Sequence, residues 1–373
     1  MSIYRFSLIG RRALGAASAC LLLLGAIPAL AWPDNPSDEW QALIEAATAE
    51  GGVTVLANAN LGDDFIAAFS ADTGVPITLS VGEHGEGRAR FNRETETGQA
   101  TFDVFIGGRS SYELADKGLL TEIAPLLILP EVTDGANWRD GAMSWIDSAK
   151  TYLPMPIGYV SAFVLINKDV IDPASVKVWD DLLSPDLAGR IAMHDPTVPG
   201  GTGAGASVSL FLAEAKGQAY LETLYGTQIG ETTADYRQLV DWVARGTYPV
   251  ALGTRALDIE RYRAEGLDNL VVLNMQDVPG YISGGTSIMA MPASAPNKAA
   301  AQVFANWFLS RSGQTAFARA ARAPSFRTDV TGGNWPEYLN PEPGRVYINQ
   351  YDQNWAETVE PALRTVLDDI LSR

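Results

Sequence analysis

From Asp38 onward, apolar positions along the chain switch repeatedly between helical and strand spacing. In "DEWQALIEAATAEG" they recur at three- and four-residue intervals and stop at Gly51-Gly52, which predicts a helix. "VTVLAN" then predicts a short buried strand, "LGDDFIAAFSADTG" a helix and "VPITLSV" a second strand. "GEGRARFNRETETG" reads as an amphipathic helix with little to bury beyond Ala89 and Phe91. "FDVFIGG" follows as a strand and "SSYELADKGLL" as a helix. Alternation of this kind predicts an α/β fold with a mostly parallel sheet covered on both faces.

The pattern changes near Tyr152. "TYLPMPIGYVSAFVLINKD" is a long extended run broken by Pro154 and Pro156, suited to leaving one lobe and entering another. A second α/β unit follows in "VWDDLLSPDLAGRIAMHD", the glycine-rich "PGGTGAGAS" with its helix, "ADYRQLVDWVARG" and the strand "YPVALGT". After "NLVVLNMQ", the segment "GYISGGTSIMAM" reads as a return crossing, and "NKAAAQVFANWFLSRSGQTAFARA" as two amphipathic helices. Two crossings around one unit predict two lobes joined by a hinge. The expected division is residues 32–157 and 279–330 for the first lobe and 158–278 for the second. Residues 331–373 are expected to form a tail and helix packed on the lobes. Clefts in open α/β sheets lie beyond the carboxyl ends of strands. The cleft loops are therefore expected at residues 57–63, 107–111, 194–207 and 253–256, with the hinge near Tyr159 and Ser283.

Composition adds a compartment. Arg5, Arg11 and Arg12 precede a run, residues 13–30, that is apolar or small throughout, and Ala29-Leu30-Ala31 supplies a small-x-small cleavage pattern. Residues 1–31 are thus expected to be a removed signal peptide; a membrane anchor is the alternative, against which the short apolar core and Pro28 speak. Cys20 lies inside this leader, so the mature chain would carry no cysteine, as suits an exported protein without disulfides. Losing three arginines and no acid takes the formal charge from −17 to about −20. Such a surface is unsuited to nucleic acid or to anionic membranes.

Against that acidic background, a few segments place donors at the predicted cleft. "PGGTGAGAS" lacks the Lys-Ser/Thr of a phosphate-binding loop and the spacing of a dinucleotide loop. It can still cradle an anion at a helix start, with the Thr202 hydroxyl and the Gly203 and Ala204 amides facing the cleft. A plain flexible loop is the alternative. Arg255 follows the strand "YPVALG", where a guanidinium suits carboxylate, phosphate or phosphonate. Its alternative is an ion pair with Asp258 or Glu260. Gly108, Arg109 and Ser110 form a similar loop in the first lobe, and Asn58 and Asn60 flank the turn after the first strand as amide donors or as ordinary turn residues. Tyr159, Tyr236 and Ser283 complete the candidate ligand contacts, the tyrosines as walls or hydroxyl donors, or as plain packing. His84 and His194 share no metal-ligand spacing, and no nucleophile elbow is present. No metal site, cofactor or catalytic residue is expected.

The segments "TFDVFIGGRSSYELADKGLL", "VWDDLLSPDLAGRIAMHDP" and "AAAQVFANWFLSRSGQTAFARA" resemble the solute-binding proteins of bacterial ABC importers, in the iron, polyamine and sugar-phosphate branch. The resemblance implies the two-lobed periplasmic-binding-protein fold, with mixed, mostly parallel sheets and a two-strand hinge. It further implies a monomeric, non-enzymatic receptor that closes on one small-molecule ligand and delivers it to an inner-membrane permease. Ferric members carry a tyrosine pair at the strand end matching "LGTRA", where Thr254 and Arg255 stand here, and a glutamate near Gly108, where no acid stands. The expected solute is accordingly a small organic anion: a phosphonate, sugar phosphate or carboxylate. A metal–anion complex is the alternative within the class, and an exported hydrolase on the same fold is the one outside it.

Overall fold

The computed structural model describes residues 32, 33, 35–82, 85–109, 112–198 and 203–373. The expected signal peptide, His84, Ser110 and Thr202 lie outside the described residues. Twelve strands are described: β1 (Val53–Ala57), β2 (Ile77–Val81), β3 (Val104–Gly107), β4 (Tyr159–Val160), β5 (Val164–Asn167), β6 (Ile191–His194), β7 (Ile229–Thr233), β8 (Val250–Leu252), β9 (Leu270–Leu273), β10 (Gly280–Ser283), β11 (Ile288–Ala290) and β12 (Tyr347–Asn349). They form three sheets, ordered β11-β3-β1-β2, β7-β6-β8-β5-β9 and β12-β10-β4.

The direction of each strand follows from where the chain enters its sheet. β1, β2 and β3 run parallel, as do β6, β7 and β8, so their carboxyl ends gather on one edge of each sheet. β5 and β11 follow the crossing strands β4 and β10, enter from that same edge, and therefore run antiparallel to β8 and β3. The crossing strands pair with each other, Ser283 opposite Tyr159 and Ile282 opposite Val160. A two-strand hinge is what the sequence leads one to expect; β12 from the tail adds a third, parallel strand to it.

Apolar burial is concentrated in separate clusters. One joins the helix Asp38–Ala49 and β1–β3 to the helices Lys298–Leu309 and Arg311–Ala321, with Phe65, Phe69, Trp307, Phe308 and Phe317 meeting edge to face at its centre and Phe304 stacked on Phe308. These rings are at most 1% exposed, and aromatic pairs at such angles add attraction beyond the area they bury. A second cluster holds Val164, Trp179, Ile191, Phe211, Leu252 and Tyr281, and is closed from the tail by Trp355, Leu367 and Ile370. A third lies on the opposite face of the second sheet, beneath the helix Tyr236–Ala244. Both large sheets are thus rigid platforms whose strand ends can present side chains to one another.

Candidate functional site

At the end of β6, His194 is 1% exposed. The helix Ala204–Lys216 starts beside it, and no side chain of its N-cap residue, Gly203, satisfies the first-turn amides. Other residues take that role: the Ala204 amide donates to the Tyr236 hydroxyl at 3.0 Å, and the Gly205 amide donates to His194 Nδ1 at 3.3 Å. Accepting on Nδ1 requires a neutral imidazole there. Burial lowers the His194 pKa; Asp195 opposes the shift and the nearby Arg255 charge adds to it. Only glycine fits at position 205, because a Cβ would lie 1.9 Å from the His194 carbonyl oxygen.

Tyr236 is the middle of a three-layer stack. Its ring lies 4.0 Å from that of His194 at an interplanar angle of 17°, and the Arg255 guanidinium sits 3.7 Å from its centroid. Two flat groups this close to one centroid must occupy opposite faces. The arrangement gains cation–π attraction at Arg255 and presses the Tyr236 hydroxyl toward the helix start. Asp258 holds Arg255 from the side, receiving Nε and Nη2 at 2.8 Å each. Nη1 is left without a partner among the described residues, and the Arg255 side chain stays 50% exposed. The two readings of Arg255 are therefore compatible: its ion pair aims it and leaves donors over. Thr254 is committed elsewhere, its buried hydroxyl donating to the Ala162 carbonyl at 2.6 Å.

The hinge continues this surface toward the first sheet. Tyr159 lies opposite Ser283 in the pairing of β4 with β10; burial raises its pKa, while Ser283 and the Arg255 charge act in the opposite sense. The Tyr159 ring lies against Gly285, where a Cβ would come within 3.2 Å of Cε1. A Cβ on Gly108 would be 3.6 Å from the Gly285 carbonyl oxygen, and one on Gly107 would be 3.1 Å from Asn58 Nδ2. Asn58 Oδ1 is buried and has no partner among the described residues. Asn58, Gly107, Gly108, Gly285, Tyr159 and Ser283 thus form one run of neighbours, and Arg255, Tyr236, His194, Gly203 and Ala204 another. Asn60 stands apart, its Oδ1 accepting from the Gly62 amide at 2.9 Å as an exposed turn.

Arg109 faces the tail. Its Nη1 donates to the Gln350 carbonyl at 3.0 Å and forms an ion pair with Glu360. Burial alone would raise the Glu360 carboxyl, but hydrogen bonds from Arg109 and Arg364 together hold it below the ordinary glutamate value. Tyr112 donates to the Tyr351 carbonyl, and Tyr351 donates to the Gly285 carbonyl at 3.1 Å. Burial pushes the Tyr351 phenol up to about 12. Gln350 Oε1 also accepts from Ser207 at 3.5 Å and from Tyr281 at 3.4 Å. The tail therefore touches residues of both large sheets' loops. Sequence reasoning missed Gln350, Glu360 and the supporting role of His194. The first two lie about 240 residues or more from their partners, and no local pattern signals such a contact.

This arrangement offers hydrogen-bond donors and a partly exposed guanidinium around a hinge. Among the described residues, no group of three or more His, Cys, Asp or Glu is placed to hold a metal ion, and no helix is long and apolar enough to cross a membrane.

Comparison with known proteins bears on what such a surface serves. The family described as bacterial extracellular solute-binding protein matches residues 64–339. No curated protein matches the chain. Among solved structures, a ferric binding protein from Campylobacter jejuni is 16% identical, with a TM-score of 0.61 over 85% of this chain and 99% of its own. A Trichodesmium protein in complex with iron and citrate is 15% identical, with a TM-score of 0.64 over 86% of this chain and 99% of its own. The spermidine/putrescine ABC transporter substrate-binding protein of Streptococcus pneumoniae is 13% identical, with a TM-score of 0.61 over 86% of this chain and 98% of its own. At these identities the likeness establishes the two-lobed fold and no particular ligand.

Proposed function

Because the chain belongs to the bacterial extracellular solute-binding protein family, a non-enzymatic component of ABC transport, we propose that it captures a small anionic solute in the periplasm and hands it to an inner-membrane permease. The observation that carries this reading is Arg255, aimed by Asp258, backed by Tyr236 and left with free donors beside the hinge. A guanidinium offers paired donors to carboxylate or phosphate oxygens. In the open form the solute reaches Arg255 and the hydroxyls of Tyr159 and Ser283. Rotation about β4 and β10 then brings Asn58 and the Gly108 loop onto it, and the differential contacts made on closing favour the closed state. Residues 32–157 and 279–330 move as one lobe and 158–278 as the other, a division supported by the separate apolar clusters. Arg109, held by Glu360, is placed to restrain the opening rather than to meet the solute first.

A second reading is favoured by the relatives with iron, one of which holds citrate alongside it. Here the solute is a metal–anion complex: the anion occupies the arginine site and supplies most of the metal's oxygen ligands. Mass spectrometry of ligand released from freshly purified protein, with metal analysis of the same sample, separates the readings. An organic anion without metal supports the first and an equimolar metal with the anion supports the second. A polyamine as the sole released ligand contradicts both.

A further inference from the structure

A cavity of about 790 Å³ adjoins the stack, lined by residues between Ala234 and Glu265 and, from elsewhere in the chain, by Arg322. Its volume falls within the usual size of small-molecule sites. Four guanidiniums line it: Arg237 and Arg261 from the helices Tyr236–Ala244 and Ala256–Ala264, Arg255 from the N-cap of the latter, and Arg322 from the end of the helix Arg311–Ala321 in the other lobe. Asp235, Asp258, Glu260 and Glu265 line it too, but three of these carboxylates are committed. Asp235 accepts from the Arg237 and Gln238 amides, Asp258 holds Arg255, and Glu260 takes Arg263 and the Tyr338 hydroxyl. Among the described residues, no ion pair holds Arg237, Arg261 or Arg322. With Asp258 paired to Arg255 and Glu260 to Arg263, three guanidiniums of the lining face the remaining charges of Asp235 and Glu265.

Arg322 carries a second oddity. It occupies the left-handed region, φ 52° and ψ 43°, at the C-cap of its helix. Glycine adopts that conformation at less cost than any side-chain-bearing residue. The backbone alone therefore does not account for an arginine there.

We propose that this cavity extends the anion site and that the solute is a compact polyanion, with one carboxylate or phosphate group at Arg255 and another held by Arg237, Arg261 and Arg322. The proposal rests on the anionic-solute reading and adds the number and spacing of charges. Arg322 comes from the opposite lobe, so it completes the site as the lobes close. Charge-assisted hydrogen bonds to a second anionic group supply the selectivity against single-charge analogues.

The test is titration calorimetry of the full mature chain with polyanions (citrate, succinate and inorganic pyrophosphate) and with acetate, formate and spermidine. The proteins compared are the wild type, Arg322→Gly and Arg255→Ala. Arg322→Gly suits the backbone, so its thermal midpoint should equal or exceed that of the wild type. The expected result is that at least one polyanion binds, acetate and formate bind at least about tenfold more weakly, and Arg322→Gly weakens the polyanion by about tenfold or more. Binding of acetate or formate as tight as that of every polyanion, or polyanion affinity unmoved by Arg322→Gly, overturns the polyanion proposal and leaves the anionic-solute reading standing. Binding of spermidine and of no anion overturns the anionic-solute reading as well.

Discussion

Arg255 shows how one side chain can be both structural and functional. Its Asp258 partner is only 6% exposed, whereas the guanidinium is half in solvent, so the ion pair orients donors rather than consuming them. Replacing it with alanine should weaken solute binding by about 2 kcal/mol or more, since hydrogen bonds to charged groups contribute about 1.5–3 kcal/mol. Calorimetry with the released solute reads this directly, and an unchanged affinity would remove Arg255 from the site. His194 makes a pH prediction beneath it. Its pKa is lowered by burial, so in the folded state it stays neutral below the ordinary 6.5. The stability it contributes is fully present above that value and is lost as pH falls through the folded pKa, because an imidazolium cannot accept from the Gly205 amide and meets the Arg255 charge. Thermal unfolding should therefore show a midpoint that drops from about pH 7 to about pH 5, more steeply in the wild type than in His194→Asn.

The helix Ala204–Lys216 and the strand β8 meet so closely that their contact is made of backbone. Gly253 is left-handed at φ +77°, with the Ala204 carbonyl carbon and the Gly205 nitrogen 3.0 Å from where its Cβ would be. Gly205→Ala forces its methyl against the His194 carbonyl and should destabilise the protein by about 1–3 kcal/mol, as overpacking does; chemical denaturation measures it. The glycine run was legible in the sequence as a helix start able to bind an anion. Its fate was not, because the Ala204 and Gly205 amides are taken by Tyr236 and His194 from two other elements. The same holds across the fold. Short apolar runs located β1 and β3, and period-3.6 patterns the helices Lys298–Leu309 and Arg311–Ala321, since burial on both faces or on one stripe is written into local sequence. The third hinge strand β12 was not legible: "VYINQ" is short, and its partner β10 lies some 65 residues earlier.

For the whole molecule, the tail is the element that joins parts lying far apart in the sequence. β12 extends the hinge sheet, Gln350 touches Ser207, and Glu360 holds Arg109. On the proposed division these contacts would reach both lobes, and the expectation is that they oppose wide opening of the ligand-free protein. Glu360→Gln should reduce stability on the order of 1–3 kcal/mol, less than for a fully buried pair because Arg109 remains 25% exposed. Small-angle scattering of the ligand-free variant should also show a larger radius of gyration, whereas an unchanged radius would confine the tail to packing. The Glu360 carboxyl is held below the ordinary 4.5, so its contribution is present above that pH and disappears as pH falls through the lower folded value. The central claim is the proposal that this acidic chain binds an anionic solute at Arg255. The most direct measurement is a thermal-shift titration of the mature protein against phosphonates, sugar phosphates, dicarboxylates and citrate, with spermidine and putrescine alongside, repeated on Arg255→Ala. The account predicts stabilisation by one or more of the anions that Arg255→Ala abolishes; stabilisation by the polyamines alone would contradict it.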